Sequence, residues 1–220
     1  MIDGILNVYK EKGYTSHDVV AKLRGILKMK KIGHTGTLDP DAEGVLPVCL
    51  GKGTKLCDLL TEKEKSYEAV LLLGRETDTQ DITGRTLEER PAEATEEELR
   101  QIISGFIGTV EQIPPMYSAI KVNGQKLYQL ARAGREIDRP ARQIQIYNIV
   151  IEEISLPRVR MRVDCSKGTY IRTLCHDIGR KAGCGGCMEA LIRLRSGMFS
   201  IENSLKLREI EELSCQGSLE

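Results

Sequence analysis

The chain has 220 residues, 40% of them hydrophobic, and its 32 Lys/Arg are balanced by 32 Asp/Glu. That length supports one sizeable core, and a neutral total excludes a uniformly basic nucleic-acid binder. The balance hides local asymmetry: residues 115–200 carry 15 basic against 7 acidic residues, while residues 74–114 carry 4 against 10. Such a block hints at a polyanionic partner, although a solvated charged surface reads the same way. No apolar run reaches the ~18 residues of a membrane span, and the N-terminus has no charged-then-apolar leader. A soluble cytoplasmic protein is expected. Seven scattered cysteines, an odd number, read as reduced thiols rather than a disulfide framework.

In chain order, DGILNVYKEKG reads as a short strand and turn, and TSHDVVAKLRGILK as a helix. Thr15 can cap that helix with Asp18 three residues on, and Val19, Leu23, Ile26 and Leu27 share a face. After a glycine-rich loop, VLPVCLG predicts a buried strand, GTKLCDLLTEKEK a helix and SYEAVLLLG a strand too apolar for an exposed edge. RETDTQDITG is turn-rich and reads as a loop. TEEELRQIISGFIG predicts a helix with a Thr95–Glu98 capping box and a stripe of Leu99, Ile102, Ile103 and Phe106. Residues 108–142 are the least regular, with a hairpin turn expected at Asn123-Gly124. RQIQIYNIVIEEIS and RVRMRVDCS alternate as two antiparallel strands joined at Leu156-Pro157. TYIRTLCHDIGRKAG predicts a helix capped by Thr169 and ended by Gly183; two short strands and the helix SLKLREIEEL follow. The mixture is α/β of the α+β type, without the strand–helix rhythm of a doubly wound sheet. No internal repeat or linker divides it, so one domain over residues 1–220 is expected.

The loop GHTGTLDPDAEGVLP, residues 33–47, places Asp39, Asp41 and Glu43 where no helix can form. Neither it nor the nearby GKGTK has P-loop spacing, which closes on Lys-Ser/Thr before a helix. An EF-hand fails for want of its sixth-position glycine and closing acid. A single reactive carboxylate fits better. Pro40 pushes Asp39 toward extended geometry, while Gly33 and Gly36 allow a tight turn or a close ligand. An ordinary Asx turn at Asp-Pro is the plain alternative.

The motif GHTGTLDPDAEGVLPVCLG resembles the catalytic segment of the bacterial tRNA pseudouridine synthases that act on uridine 55 of the T loop. KSYEAVLLLGRETDTQDITG, PPMYSAIKVNGQKLYQLARAG, CSKGTYIRTL and CGGCMEALIRLRSG resemble the remaining family blocks, in family order, over residues 2–200. The resemblance implies a pseudouridine-synthase fold: a mixed, mostly antiparallel sheet with flanking helices and an RNA-clamping insertion at about 115–142. It also implies an isomerase that flips a uridine from folded RNA, breaks its N-glycosidic bond and rejoins the base through C5, with no cofactor and no metal. Asp39 matches the catalytic aspartate, and Asp41 and Glu43 are left as solvated loop acids. Tyr67 matches the tyrosine that stacks on the flipped base and partners proton transfer, and Arg172 the arginine that pairs with the aspartate. His34 matches the histidine supporting the emptied loop, Tyr170 a second pocket tyrosine, Asp81 a pocket acid and Leu191 an apolar wall. Lys121, Arg132, Arg139 and Arg142, with Lys126 and Arg135, make the insertion basic. Recognition would then lean on phosphates and loop shape.

The implied partner is the T-arm stem-loop of tRNA, with no membrane and a monomeric enzyme. Many relatives carry a C-terminal RNA-binding domain, which here is expected to be absent or truncated. Two rival readings remain. One is a catalytically silent RNA-binding or tRNA-folding protein of the same fold, against which the joint presence of Asp39, Tyr67 and Arg172 argues. The other is a zinc module of Cys175, His176, Cys184 and Cys187. The Cys184–Cys187 spacing suits metal, but adjacent helical residues such as Cys175 and His176 point in different directions.

Overall fold

A computed structural model describes residues 2–122 and 124–218. Its elements in chain order are β1 (Gly4–Lys10), α1 (Ser16–Ile26), β2 (Ile32–His34), β3 (Glu43–Leu50), α2 (Cys57–Thr61), β4 (Lys65–Leu73), β5 (Arg75–Thr77), β6 (Thr86–Glu89), α3 (Glu96–Ser104), β7 (Gly108–Gln112), β8 (Lys121–Val122), β9 (Gln125–Lys126), α4 (Leu127–Arg132), β10 (Arg142–Ser155), β11 (Arg158–Cys165), α5 (Ile171–Lys181), β12 (Gly186–Ser196), β13 (Phe199–Ser200) and α6 (Leu207–Cys215). The chain forms two compact units, Met1–Glu68 with Ala190–Glu220, and Ala69–Glu189. It passes from one to the other inside β4 and β12, which is why composition shows no linker.

In the first unit β1 and β2 each pair antiparallel with β3, and β12 joins β3 in parallel at Ile192↔Glu43 and Arg193↔Gly44. Helix α1 starts where Thr15 accepts from the Asp18 N–H and Asp18 reaches back to the cap, the expected capping box. Its inward face and α6 join one cluster: Val8, Val19, Val20, Leu23, Ile32, Leu46, Val48, Leu50, Leu207 and Ile210. Each fully buried aliphatic side chain there contributes about 1.5–3 kcal/mol.

In the second unit β10 pairs antiparallel with β11 on one side and β7 on the other, and β4 lies beside β11. Leu71, Leu99, Ile103, Ile146, Met161, Leu174 and Ile178 are wholly buried here. The Thr95–Glu98 capping box opens α3 as expected.

Several expectations are corrected. The helix expected from residue 53 opens as a 3-10 turn, Gly51–Leu56, and only Cys57–Thr61 is α. RETDTQDITG contributes β5, because residues 75–77 find partners in β6. Gly108–Gln112 is a strand rather than irregular chain, since β10 supplies its hydrogen-bond partners. Thr169 does not cap α5: its hydroxyl donates to Ser166 O and Tyr170 is the cap residue. Of the two strands expected near the end, β13 is short but β12 runs 11 residues. In the insertion, β8 and β9 pair as a hairpin with Gly124 at φ +82°; Asn123 lies outside the described residues. Met116 and Leu127 are buried, so more of this segment is docked than its sequence suggests.

Candidate active site

In the first unit Asp39 is half-buried on the stretch between β2 and β3. Its carbonyl accepts the Ala42 N–H at 3.1 Å, closing a turn with Pro40 in the position where proline's fixed φ is favourable. Ser16 at the start of α1 pins the approach: its hydroxyl accepts the Leu38 N–H at 2.9 Å and donates to Leu38 O. Thr35 is tied to Pro47 O through both its N–H and its hydroxyl. His34 is partly buried, packs edge-on against His17 with 5.3 Å between centroids, and its Nδ1 accepts the Gly36 N–H. Burial, then the charge of His17, pushes the His34 pKa down, so the ring is neutral at pH 7.

Two buried cations hold this loop, and the sequence reading misses both. Lys10, at the end of β1, is 0% exposed, and its ammonium donates to Glu11 O, Pro40 O and Ala42 O at 3.1, 3.1 and 2.6 Å. Three N–H groups meet three carbonyls. Burial pushes its pKa down to about 8, against the pull of Glu43, Asp39 and Asp41. Arg193 on β12, 1% exposed, donates to Val45 O at 2.7 Å and Gly36 O at 3.4 Å. Gly44 is required beside it: at φ +101° a Cβ there would lie 2.3 Å from Arg193 O. Tyr67 and Leu191 are buried in the same unit. Asp41 is exposed, 3.9 Å from Lys12, as expected of a solvated acid. Glu43 is instead half-buried and accepts the Tyr9 hydroxyl at 3.3 Å.

The second unit holds a cluster at the start of α5. Arg172 is 5% exposed; it donates to Thr79 O at 3.2 Å and Tyr117 O at 2.9 Å and lies 3.7 Å from the Asp81 carboxylate. Asp81 accepts from the hydroxyls of Thr79 and Thr83 and from the Thr83 N–H. Between Thr79 and Asp81, Gln80 sits at φ +63°, and its side chain accepts the Thr173 hydroxyl at 2.8 Å. The Tyr170 backbone is fixed on both its N–H and its C=O by the buried Gln112 amide. Neither glutamine carries a sequence signal, because each acts through a residue distant in the chain.

Known proteins resemble the chain over its whole length. A sequence model described as TruB family pseudouridylate synthase (N terminal domain) matches residues 24–171, and one described as tRNA pseudouridylate synthase B C-terminal domain matches residues 172–218. The chain belongs to the TruB family. The tRNA pseudouridine synthase B of Lachnoclostridium phytofermentans is 60% identical to it, the match covering 100% of this chain and 74% of that protein. The enzyme of the same name from Alkaliphilus oremlandii is 52% identical, covering 96% and 71%. Among solved structures, a Cbf5-Nop10-Gar1 complex contains a chain with TM-score 0.78 at 33% identity. An H/ACA RNP bound to a substrate RNA containing 2'-deoxyuridine gives 0.74 at 30%. This chain is covered to 99% in both and spans 57% and 56% of theirs.

Against this family background the basic insertion divides. Lys121, Arg132 and Arg142 are exposed, whereas the Arg139 side chain is only 16% exposed and its guanidinium pairs with Glu136 at 3.2 Å. Arg132 and Lys126 both lie over the Tyr128 ring, at 5.4 and 5.5 Å from its centre. Among the described residues no group of three or more His, Cys, Asp or Glu is placed to hold a metal ion, so the four residues of the zinc reading are not gathered.

Proposed function

We propose that the chain converts uridine 55 in the T loop of tRNA to pseudouridine, with Asp39 as its catalytic residue. Membership of the TruB family makes it a tRNA pseudouridine synthase, an isomerase. The observation that carries the residue assignment is the buried clamp on the Asp39 turn. Lys10 and Arg193 are fully desolvated cations whose hydrogen bonds all end on backbone around that one acid. Burying a cation is costly unless its donors are satisfied, and here its return is a fixed carboxylate.

In this reading the target base leaves its stack, at about a few kcal/mol, before chemistry. The N1–C1′ bond breaks, the base turns over, and the C5–C1′ bond forms. The C5 hydrogen leaves as a proton and N1 gains one, so the product is an isomer and no electrons are exchanged. Asp39 acts as an ionised carboxylate, and Arg172 is assigned to hold it ionised and oriented. Tyr67 takes the base-stacking and proton-transfer role, with Tyr170, Asp81 and Leu191 as pocket residues. His34 supports the opened RNA loop. Lys121, Arg132 and Arg142 contact phosphates. The test is incubation with a T-arm stem-loop followed by detection of pseudouridine at each uridine. One modified uridine at the position equivalent to 55, and none with Asp39→Asn, is expected. Product at another uridine, or product from the variant, rejects the assignment.

A further inference from the structure

The proposed chemistry uses no cysteine, yet two thiols lie near one another around Gly33. Cys49 on β3 is fully buried and is the antiparallel partner of Gly33 on β2, and its thiol interacts electrostatically with that of Cys57. Residues directly opposite in an antiparallel pair carry their side chains on one face, and Gly33 has none. The Cys57 sulfur fills the space this leaves, 3.3 Å from where a Cβ on Gly33 would sit. The 3-10 turn Gly51–Leu56 leads from β3 into Cys57, whose sulfur comes to lie beside Gly33 on β2. Cys57 is partly exposed, whereas Cys49 is buried.

We propose that Cys49 and Cys57 are a modification site that closes to a reversible disulfide when the protein meets a peroxide. Cys57 reacts first, being the accessible thiol. Burial pushes the Cys49 thiol up to about 12, which keeps it protonated. The Cys57 thiolate attacks one peroxide oxygen, the O–O bond breaks, and hydroxide leaves to become water. Cys57 is now a sulfenic acid. The Cys49 sulfur then attacks the Cys57 sulfur. The S–S bond forms, the S–O bond breaks, and the Cys49 thiol proton departs with the hydroxide as a second water. Two thiols lose two electrons and one peroxide is reduced to two waters. Cys165, Cys175, Cys184 and Cys187 are buried, which restricts attack on them, and Cys215 is the exposed competitor.

The experiment uses the full folded chain carrying Cys215→Ser, treated with one equivalent of hydrogen peroxide, alkylated, digested and mapped by mass spectrometry. Two fewer alkylated thiols per chain and a Cys49–Cys57 linked peptide are expected, both reversed by dithiothreitol. A second arm keeps the test independent of any effect of the first variant on folding. In Cys49→Ala a dimedone adduct should accumulate on Cys57, at least about tenfold above the chain that retains Cys49. Cys57 passing to sulfinic acid with Cys49 still free, a link between other cysteines, or equal dimedone labelling in both chains would overturn the proposal.

Discussion

Replacing Asp39 by Asn keeps the shape of the side chain and removes its charge and nucleophilic oxygen. Turnover should fall by about 10³-fold or more while stem-loop affinity changes little. Single-turnover product formation beside a binding titration checks this, and a parallel loss of affinity would show that Asp39 serves binding instead. Arg172→Lys keeps a positive charge but loses the planar fork that reaches Thr79 O, Tyr117 O and Asp81 together. A rate loss of about tenfold or more is expected, and equal rates would mean that charge alone matters. Lys10 has a pH signature. Its folded pKa of about 8 lies below the ordinary lysine value of 10.5, so between those values the unfolded chain holds a proton that the folded chain has released. Its contribution to stability therefore rises with pH across that window and is least favourable below pH 8. Burial raises the Tyr9 and Cys49 pKa values and works in the opposite sense. The difference between wild type and Lys10→Met, followed by denaturant unfolding from pH 7 to 10.5, isolates the lysine. A flat difference would contradict the burial argument.

At the scale of elements, β3 carries the Asp39 loop because it is paired on both sides and covered on both faces. The parallel contact between Gly44 and Arg193 leaves no room for a methyl group, and φ +101° strains any L side chain. Gly44→Ala should destabilise the protein by about 3 kcal/mol or more, by overpacking and backbone strain together. A shift of the urea midpoint by less than the equivalent of about 1 kcal/mol would show that β12 can move aside. The element assignments that failed at the sequence level share one cause. β5 and β7 are short strands whose identity depends on β6 and β10, and propensity within a few residues cannot see a partner. Where the signal is local, as in the two capping boxes or the alternation of β10 and β11, the sequence reading and the structure agree.

For the whole molecule, neutrality conceals a basic insertion whose exposed members are Lys121, Arg132, Arg135 and Arg142. Stem-loop affinity should fall with salt by about 0.7–0.9 log units per log unit of salt for each phosphate neutralised. Replacing Arg132 and Arg142 together by Ala should flatten that slope and weaken binding, while turnover at saturating RNA falls much less. An unchanged slope would place the phosphate contacts elsewhere. The insertion between its buried anchors Met116 and Leu127 and the start of β10 should gain hydrogen-exchange protection on binding the stem-loop, because ordering it consumes part of the phosphate attraction. Equal protection with and without RNA would mean that the segment is preformed.

The sequence by itself determined α1 and α3 with their capping boxes, the long antiparallel pair, the family and the acid to test. These depend on hydrogen bonds and periodicities that close within a few residues, or on motifs read in a line. Only the tertiary structure decided what holds that acid in place. Lys10 reaches Pro40 across 30 positions and Arg193 reaches Gly36 across 157, and each looks like an ordinary charged residue until the fold removes its water. It also decided that Arg139 is mostly buried and paired with Glu136, and that the Cys57 sulfur sits beside Gly33, the strand partner of Cys49. Burial and long-range partnership are properties of the packed chain, since desolvation acts on a side chain only once its neighbours have arrived.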